Sequence, residues 1–356
     1  MKQQTLTMRP VMAAAVAAAL LTACNLAPTY QQPAGMVPAT VAAQAGVPVQ
    51  ASEAALSYAQ AQAWIQSPQL RKVVALALSN NRDLRVALDN MEKARAQYGI
   101  TRADLLPSIT AQGQGTRSRT SAELNPAGQS SVNEQYTAQL GFTSYEIDFW
   151  GRVRNLSEAG LQAFLQSEGN QRNVQIGLVA DVSNAWLTLA ADMARLQLAQ
   201  DTLASREKAY ALTKRMFEIG STSGLVLAQN LSTVETARVD VAAYTSQVAR
   251  DRNALHLLVG GAVPAELLPS VQTLAVNDAN NLALLPVPQA LPSSVLLQRP
   301  DVQAAEHNLR AMNANIGAAR AALFPSITLT GSVGSGSREL DALFGGGTST
   351  WSFMPQ

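Results

Sequence analysis

Two carboxylates, Glu146 and Asp148, lie two residues apart on a segment whose alternation reads as a strand, so both side chains point the same way. Carboxylates paired like this can do acid–base work. Neither has a catalytic companion nearby, and Gly151-Arg152 follows at once, so the pair reads instead as charge at the water interface of a strand-to-helix junction. Gly331-Ser-Val-Gly-Ser-Gly336 has the glycine density of a phosphate loop but sits in a strand pattern without a helix at the required spacing. A flexible strand end and loop is expected there. The two histidines, His256 and His307, are isolated, and no serine, cysteine or lysine stands in a nucleophile motif. These residues point to no enzyme, no metal site and no cofactor.

The single cysteine is placed more tellingly. Lys2 and Arg9 precede an apolar stretch over residues 11–21, and Leu21-Thr22-Ala23-Cys24 supplies small residues around a cleavage point. That is the plan of a secretory signal over residues 1–23. A lone cysteine is commonly just a buried apolar thiol, but this one follows the apolar stretch directly. Leu-Thr-Ala-Cys resembles a bacterial lipobox, which implies cleavage before Cys24 and lipidation of that residue. Asn25 stands where inner-membrane-retained lipoproteins usually carry Asp, so the resemblance points to the outer membrane.

The elements that carry these residues come from a chain of 356 residues, 14% charged and 5% aromatic, against the roughly 25% charge of ordinary globular chains. A formal charge of +1 gives no field for gripping phosphates, so nucleic acid is excluded as an electrostatic partner. No uninterrupted apolar run reaches the roughly 18 residues of a membrane helix. Residues 24–67, rich in Pro, Ala, Val and Gln, read as an extended arm. A helix is predicted over 69–106, closed by Pro107, followed by alternating strands over 108–119 and 135–149 that make a hairpin.

Beyond it, Val182, Leu189, Leu196, Leu203, Tyr210 and Phe217 recur every seven residues, and Leu227, Val234, Val241, Val248 and Leu255 do so again. Such spacing means supercoiled helices, turning at Gly220-Ser-Thr-Ser-Gly224. The outgoing helix, residues 154–219, would be about 100 Å long and its return, 223–259, roughly 55 Å. Another helix over 294–324 supplies the remaining length, after an irregular proline-rich stretch.

Leu106-Pro-Ser-Ile-Thr110 is echoed by Phe324-Pro-Ser-Ile-Thr328, and at that offset of 218 residues 83–113 share 13 identities with residues 301–331. The chain is duplicated. In the second copy Ile327, Leu329 and Val333 alternate with Thr328, Thr330 and Ser332, and Trp351 and Phe353 begin the partner strand. A complete second copy would run about 120 residues past Gln356, so a C-terminal truncation is expected, with the second long helical hairpin absent. Were these strands to lie in a membrane, four could not close a barrel there, and open edges in hydrocarbon would leave unpaired amides, so strands would have to be shared among chains. In that setting Ile109, Tyr136, Ala138, Leu140, Phe142, Ile327, Leu329 and Val333 would face lipid, and Gln112, Gln139, Thr328 and Thr330 a watery lumen. The same alternation also fits a soluble antiparallel sheet.

These patterns resemble the TolC family of outer-membrane efflux proteins, in its OprM-like lipoprotein branch. The resemblance rests on Leu21-Thr-Ala-Cys24, Ser67-Pro-Gln-Leu70, Asn81-Arg-Asp-Leu84, the paired Pro-Ser-Ile-Thr starts, Tyr145-Glu-Ile-Asp-Phe-Trp-Gly-Arg152 and Arg215-Met-Phe-Glu-Ile-Gly220. It implies an α+β membrane protein whose long coiled-coil helices form a periplasmic α-barrel. Two β-hairpins per protomer contribute to a trimeric transmembrane β-barrel. On that plan residues 68–107 form a first ascending helix, 108–150 the first barrel hairpin, 151–260 the long periplasmic hairpin and 261–292 an equatorial region. Residues 293–324 form the second ascending helix and 325–356 an incomplete second barrel hairpin. The resemblance further implies a passive exit duct of a tripartite RND-type pump in the outer membrane, lipid-anchored and spanning. Its partners would be a periplasmic adaptor protein, an inner-membrane RND transporter and outer-membrane lipid. The family's adaptor-docking tip maps to Arg215, Gly220, Ser221, Thr222 and Ser223, although Gly220 and Gly224 also suit a helix end and a helix start. Gly224-Leu225 departs from the acidic residue commoner there. A bulky or charged residue at Gly220 is expected to weaken adaptor cross-linking without reducing trimer. A duct for secreted polypeptides and a non-spanning lipoprotein scaffold are the alternatives.

Overall fold

The computed structural model describes residues 25–31, 40–41, 65–270, 291–292 and 294–356. In chain order the elements are β1 (Thr40–Val41), α1 (Pro68–Asn80), α2 (Arg82–Ala103), β2 (Thr110–Thr120), β3 (Ser131–Glu146), α3 (Arg152–Glu218) and α4 (Gly224–Val259). Then follow β4 (Leu291–Pro292), α5 (Ser294–Leu297), α6 (Pro300–Ala321), β5 (Thr328–Ser337) and β6 (Ser349–Pro355). Two compact units emerge, one from residues 1–33, 91–167 and 304–356, the other from 34–90 and 168–303.

The duplication reappears in the starts of the elements. Helices α2 and α6 both have 22 residues, opening at Arg82 and Pro300, and β2 and β5 open at Thr110 and Thr328. Strands β3 and β6 open at Ser131 and Ser349, again at the repeat offset.

Each helix expected to be continuous before a hairpin is instead broken, at equivalent positions of the two copies. Asn81 leaves the helix with φ −63° and ψ 130°, its N–H still bonded to the Ala77 carbonyl, and its Oδ1 then accepts from Leu84 N at 2.8 Å. It therefore ends α1 and caps α2. In the second copy Pro300 removes an N–H and pushes Arg299 out of helical geometry, dividing α5 from α6. The strand limits also move, to 110–120 and 131–146, because the chain after Glu146 turns away and Asp148 caps α3.

In the larger helical unit, Leu70, Val73, Val74 and Ala77 fall on one stripe of α1 and are fully buried. Each of the three larger side chains contributes about 1.5–3 kcal/mol by leaving water. They pack in one cluster with Val182, Trp186 and Leu189 of α3 and Leu255 and Val259 of α4. Trp186 Nε1 donates to Leu267 O at 3.0 Å, tying in the short 3₁₀ turn Ala265–Leu267. The seven-residue seam is real: Val182, Leu189, Val234, Val248 and Leu255 are buried, and burial fades toward Tyr210 and Phe217.

In the other unit the sheet order is β2-β3-β5-β6, antiparallel throughout. A bulge lies between Phe142 and Tyr145, where Ser144 has φ 53° and its N–H donates to Thr330 Oγ1 at 3.1 Å. Residues 25–31 of the arm lie against α6. Asn313 Nδ2 donates to Pro28 O at 2.8 Å, Arg310 sits 5.5 Å from the Tyr30 ring centre, and a Cβ at Gly317 would meet Ala27 at 2.7 Å. Gly99, its counterpart in the first copy, has open space, so the arm explains only the second glycine.

Candidate functional site

The sheet has two chemically distinct faces because the register brings like residues into rows. Ala111, Leu140, Val333 and Trp351 form one cross-strand row, and Phe142, Gly331 and Phe353 the next. Leu140, Val333, Trp351 and Phe353 are all exposed, on a face that a soluble sheet would cover. The bulge keeps Tyr145 and Leu329 in register with that face. On the other side Gln112, Gln139, Gly334 and Thr350 form a row in which Gln139 Nε2 reaches Gln112 Oε1 at 3.5 Å. The expected apolar and polar sets therefore separate onto opposite faces, and among the described residues β2 and β6 are open edges.

The glycine-rich run is not a loop. Gly331, Gly334 and Gly336 pair within β5, and a Cβ at Gly334 would lie 2.2 Å from Ala138 O, so glycine there permits close strand approach. The loop begins only after Ser337, where the Ser335 hydroxyl donates to Leu343 O.

Glu146 and Asp148 serve separate structural tasks. Arg152 Nε donates to Glu146 Oε1 at 2.8 Å, while Asp148 Oδ2 accepts from Arg154 N at 2.8 Å and so caps α3. Beside them Trp150 stacks on Phe324 with ring centres 4.6 Å apart, and its Nε1 donates to Pro325 O at 3.1 Å. This pair ties the strand exit of the first copy to the helix end of the second. His307 Nδ1 lies 2.7 Å from Gln162 Oε1, a polar contact between α6 and α3. No metal-binding cluster occurs among the described residues.

At the other candidate site, Gly220 ends α3 with φ 76°, Gly220 N donating to Phe217 O at 2.9 Å and Ser221 N to Met216 O at 2.8 Å. Those two bonds form a Schellman motif, which only glycine accommodates freely. Ser223 Oγ then accepts from Val226 N and caps α4. The structure thus brings Arg215, Gly220, Ser221, Thr222 and Ser223 to one turn, with Gly220 and Ser223 already committed to shaping it. Sequence reading missed the apolar flank of this turn: Ile219 is 79% and Leu225 69% exposed. Their position outside the seven-residue seam was the available signal. Cys24 lies outside the described residues.

With the duplication, the long hairpin and the two-faced sheet established, comparison with known proteins decides the family. The profile of the outer membrane efflux protein family matches residues 73–261 and 291–356. The chain belongs to that family. Two relatives from Pseudomonas putida, the antibiotic efflux pump outer membrane protein ArpC and the toluene efflux pump outer membrane protein TtgC, are each 44% identical over 353 residues. The match covers 98% of this chain and 71% of each relative. The solved open state of the Neisseria gonorrhoeae MtrE outer membrane channel is 35% identical with a TM-score of 0.76, covering 94% of this chain and 72% of that one. Membership makes the chain the outer-membrane channel component of an RND-type efflux system, a conduit and not an enzyme. Its long helices are the periplasmic part and its sheet belongs to the membrane-spanning part.

Proposed function

We propose that this chain forms the passive outer-membrane exit duct of a tripartite pump for antibiotics, solvents and other small toxic molecules. Three copies would close a twelve-stranded barrel, four strands from each. The observation that carries this reading is the sheet of β2, β3, β5 and β6, apolar on one face, polar on the other and, among the described residues, open at both edges. In hydrocarbon such a sheet leaves two rows of amides unpaired unless neighbouring copies continue it. The substrate class follows the relatives ArpC and TtgC, outer membrane proteins of an antibiotic and a toluene efflux pump.

On this reading the signal over residues 1–23 is removed and Cys24 carries acyl chains that add to membrane attachment, each buried methylene contributing about 0.8 kcal/mol. The α3–α4 turn, with Arg215, Gly220, Ser221, Thr222 and Ser223, docks a periplasmic adaptor, and energy comes from the inner-membrane transporter. Exposed Ile219 and Leu225 supply apolar contact area beside the turn. Fractionation of cells fed labelled palmitate tests the anchored duct. Label on the chain in the outer membrane, abolished by Cys24→Ser, supports it; unlabelled chain in the aqueous periplasmic fraction contradicts it.

A further inference from the structure

Charged side chains are distributed over the sheet very unevenly. Following the register, the polar face of all four strands consists of Thr, Ser, Asn, Gln and Gly, with one Met, from Thr110 through Thr143 and from Thr330 to Met354. The strand residues Arg117, Arg119 and Glu134 all fall on the opposite, apolar-side register, with Arg117 Nε 2.8 Å from Glu134 Oε1. The single ionised residue on the polar face is Glu146, at the strand end opposite Thr328, where Arg152 neutralises it. Loop charges, including Glu123 and Arg338, stand beyond the other strand end. From this row the chain runs seven residues from Gln139 to Glu146, five from Gln139 to Glu134 and four from Gly334 to Arg338, about 13 Å or more at the rise of a strand and beyond the roughly 8 Å screening length at physiological salt.

Electrostatic selection in a pore needs unpaired charge where the bore narrows, as in the charged rings of cation and anion channels. This face offers hydroxyl and amide groups instead, which hydrate a solute of any charge sign. Resting on the duct reading above, we infer that the barrel lumen is electroneutral and admits neutral, cationic and anionic small molecules alike. Discrimination by charge would then fall to the components upstream.

The full chain in the outer membrane of intact cells provides the test, because reagents reach the barrel from outside without crossing the helical tunnel. The chain has one cysteine, Cys24, so Gln139→Cys adds a single new thiol and the unsubstituted chain is the blank. Its reaction rates with a cationic trimethylammonium and an anionic sulfonate methanethiosulfonate are divided by those of a free small thiol. The expected ratio is equal within about twofold, and adding Gln112→Lys shifts it toward the anionic reagent by about threefold or more. A bias beyond about tenfold in the Gln139→Cys chain overturns the electroneutral lumen and leaves the duct intact. Leu140→Cys reports on the other face. Its modification in place of Gln139→Cys, a failure of Gln139→Cys to react at all, or no effect of Gln112→Lys overturns the duct reading as well.

Discussion

The side-chain amide of Asn81 donates to the carbonyl oxygen of Leu258 at 2.8 Å, while its own oxygen caps Leu84. One buried residue thus ends α1, starts α2 and braces the last turn of α4. Asn81→Ala removes the cap and leaves a carbonyl unpaired, so the chain is expected to lose about 2 kcal/mol in denaturant unfolding followed by helical circular dichroism. An unchanged midpoint would remove the brace from the account.

The same junction makes two adjacent glycines unequal. Gly260 has φ 81° and a Cβ there would lie 2.4 Å from Asn80 O, whereas Gly261 has open space. Gly260→Ala is expected to destabilise by about 2–4 kcal/mol and Gly261→Ala by under about 1 kcal/mol in the same unfolding measurement. Equal effects would mean that α4 does not close against α1 as described.

Asp251 of α4 faces the buried Asp192 of α3, and burial first, then that second carboxylate, raises its pKa above the ordinary aspartate value. Gln247 and Arg250 oppose the shift without cancelling it, and Arg195 Nη1 holds Asp192 at 2.6 Å. A raised carboxyl binds its proton more tightly folded than unfolded. Its stabilising contribution is therefore complete below about pH 4 and lost as pH rises through the folded value. Asp251→Asn should raise the melting temperature at pH 7 relative to the parent chain, with the advantage shrinking on acidification toward pH 4. A difference constant across that range would show that the pair does not share a proton.

The two faces of the sheet predict opposite responses to neighbouring substitutions. Leu140→Arg places charge on the apolar face and is expected to cost about 2–4 kcal/mol if it lies near mid-membrane. Gln139→Arg, on the polar face, should leave assembly close to normal. Heat resistance of the membrane-extracted protein on gels distinguishes them, and equal loss in both would contradict the assignment of faces.

Much of this architecture is written in residue patterns. The seven-residue seam of Val182, Leu189, Val248 and Leu255 is legible because each seam position must be buried for the helices to pack at all. The faces of β2, β3 and β5 follow from strict alternation, which a slip of one residue would invert. The helix breaks were less legible. Arg299-Pro300 carried a usable signal in the proline, but Asn81 breaks its helix through contacts to Leu84 and Leu258, the latter 177 positions away. Asp192 and Asp251 likewise meet only through the α3–α4 hairpin. The tip residues were placed by resemblance, and geometry adds that Gly220 is the least informative of them to replace. With φ at 76° any side chain strains the turn before an adaptor is involved. Ser221→Trp or Arg215→Glu is the cleaner probe, expected to reduce adaptor cross-linking at unchanged assembly.

The claim on which the rest depends is that this sheet is completed by other copies of the chain. The mass of the particle extracted from outer membranes in mild detergent, corrected for bound detergent, measures that directly. The account predicts three chains per particle. One chain per particle, or a protein that stays in the aqueous phase without detergent, would contradict it.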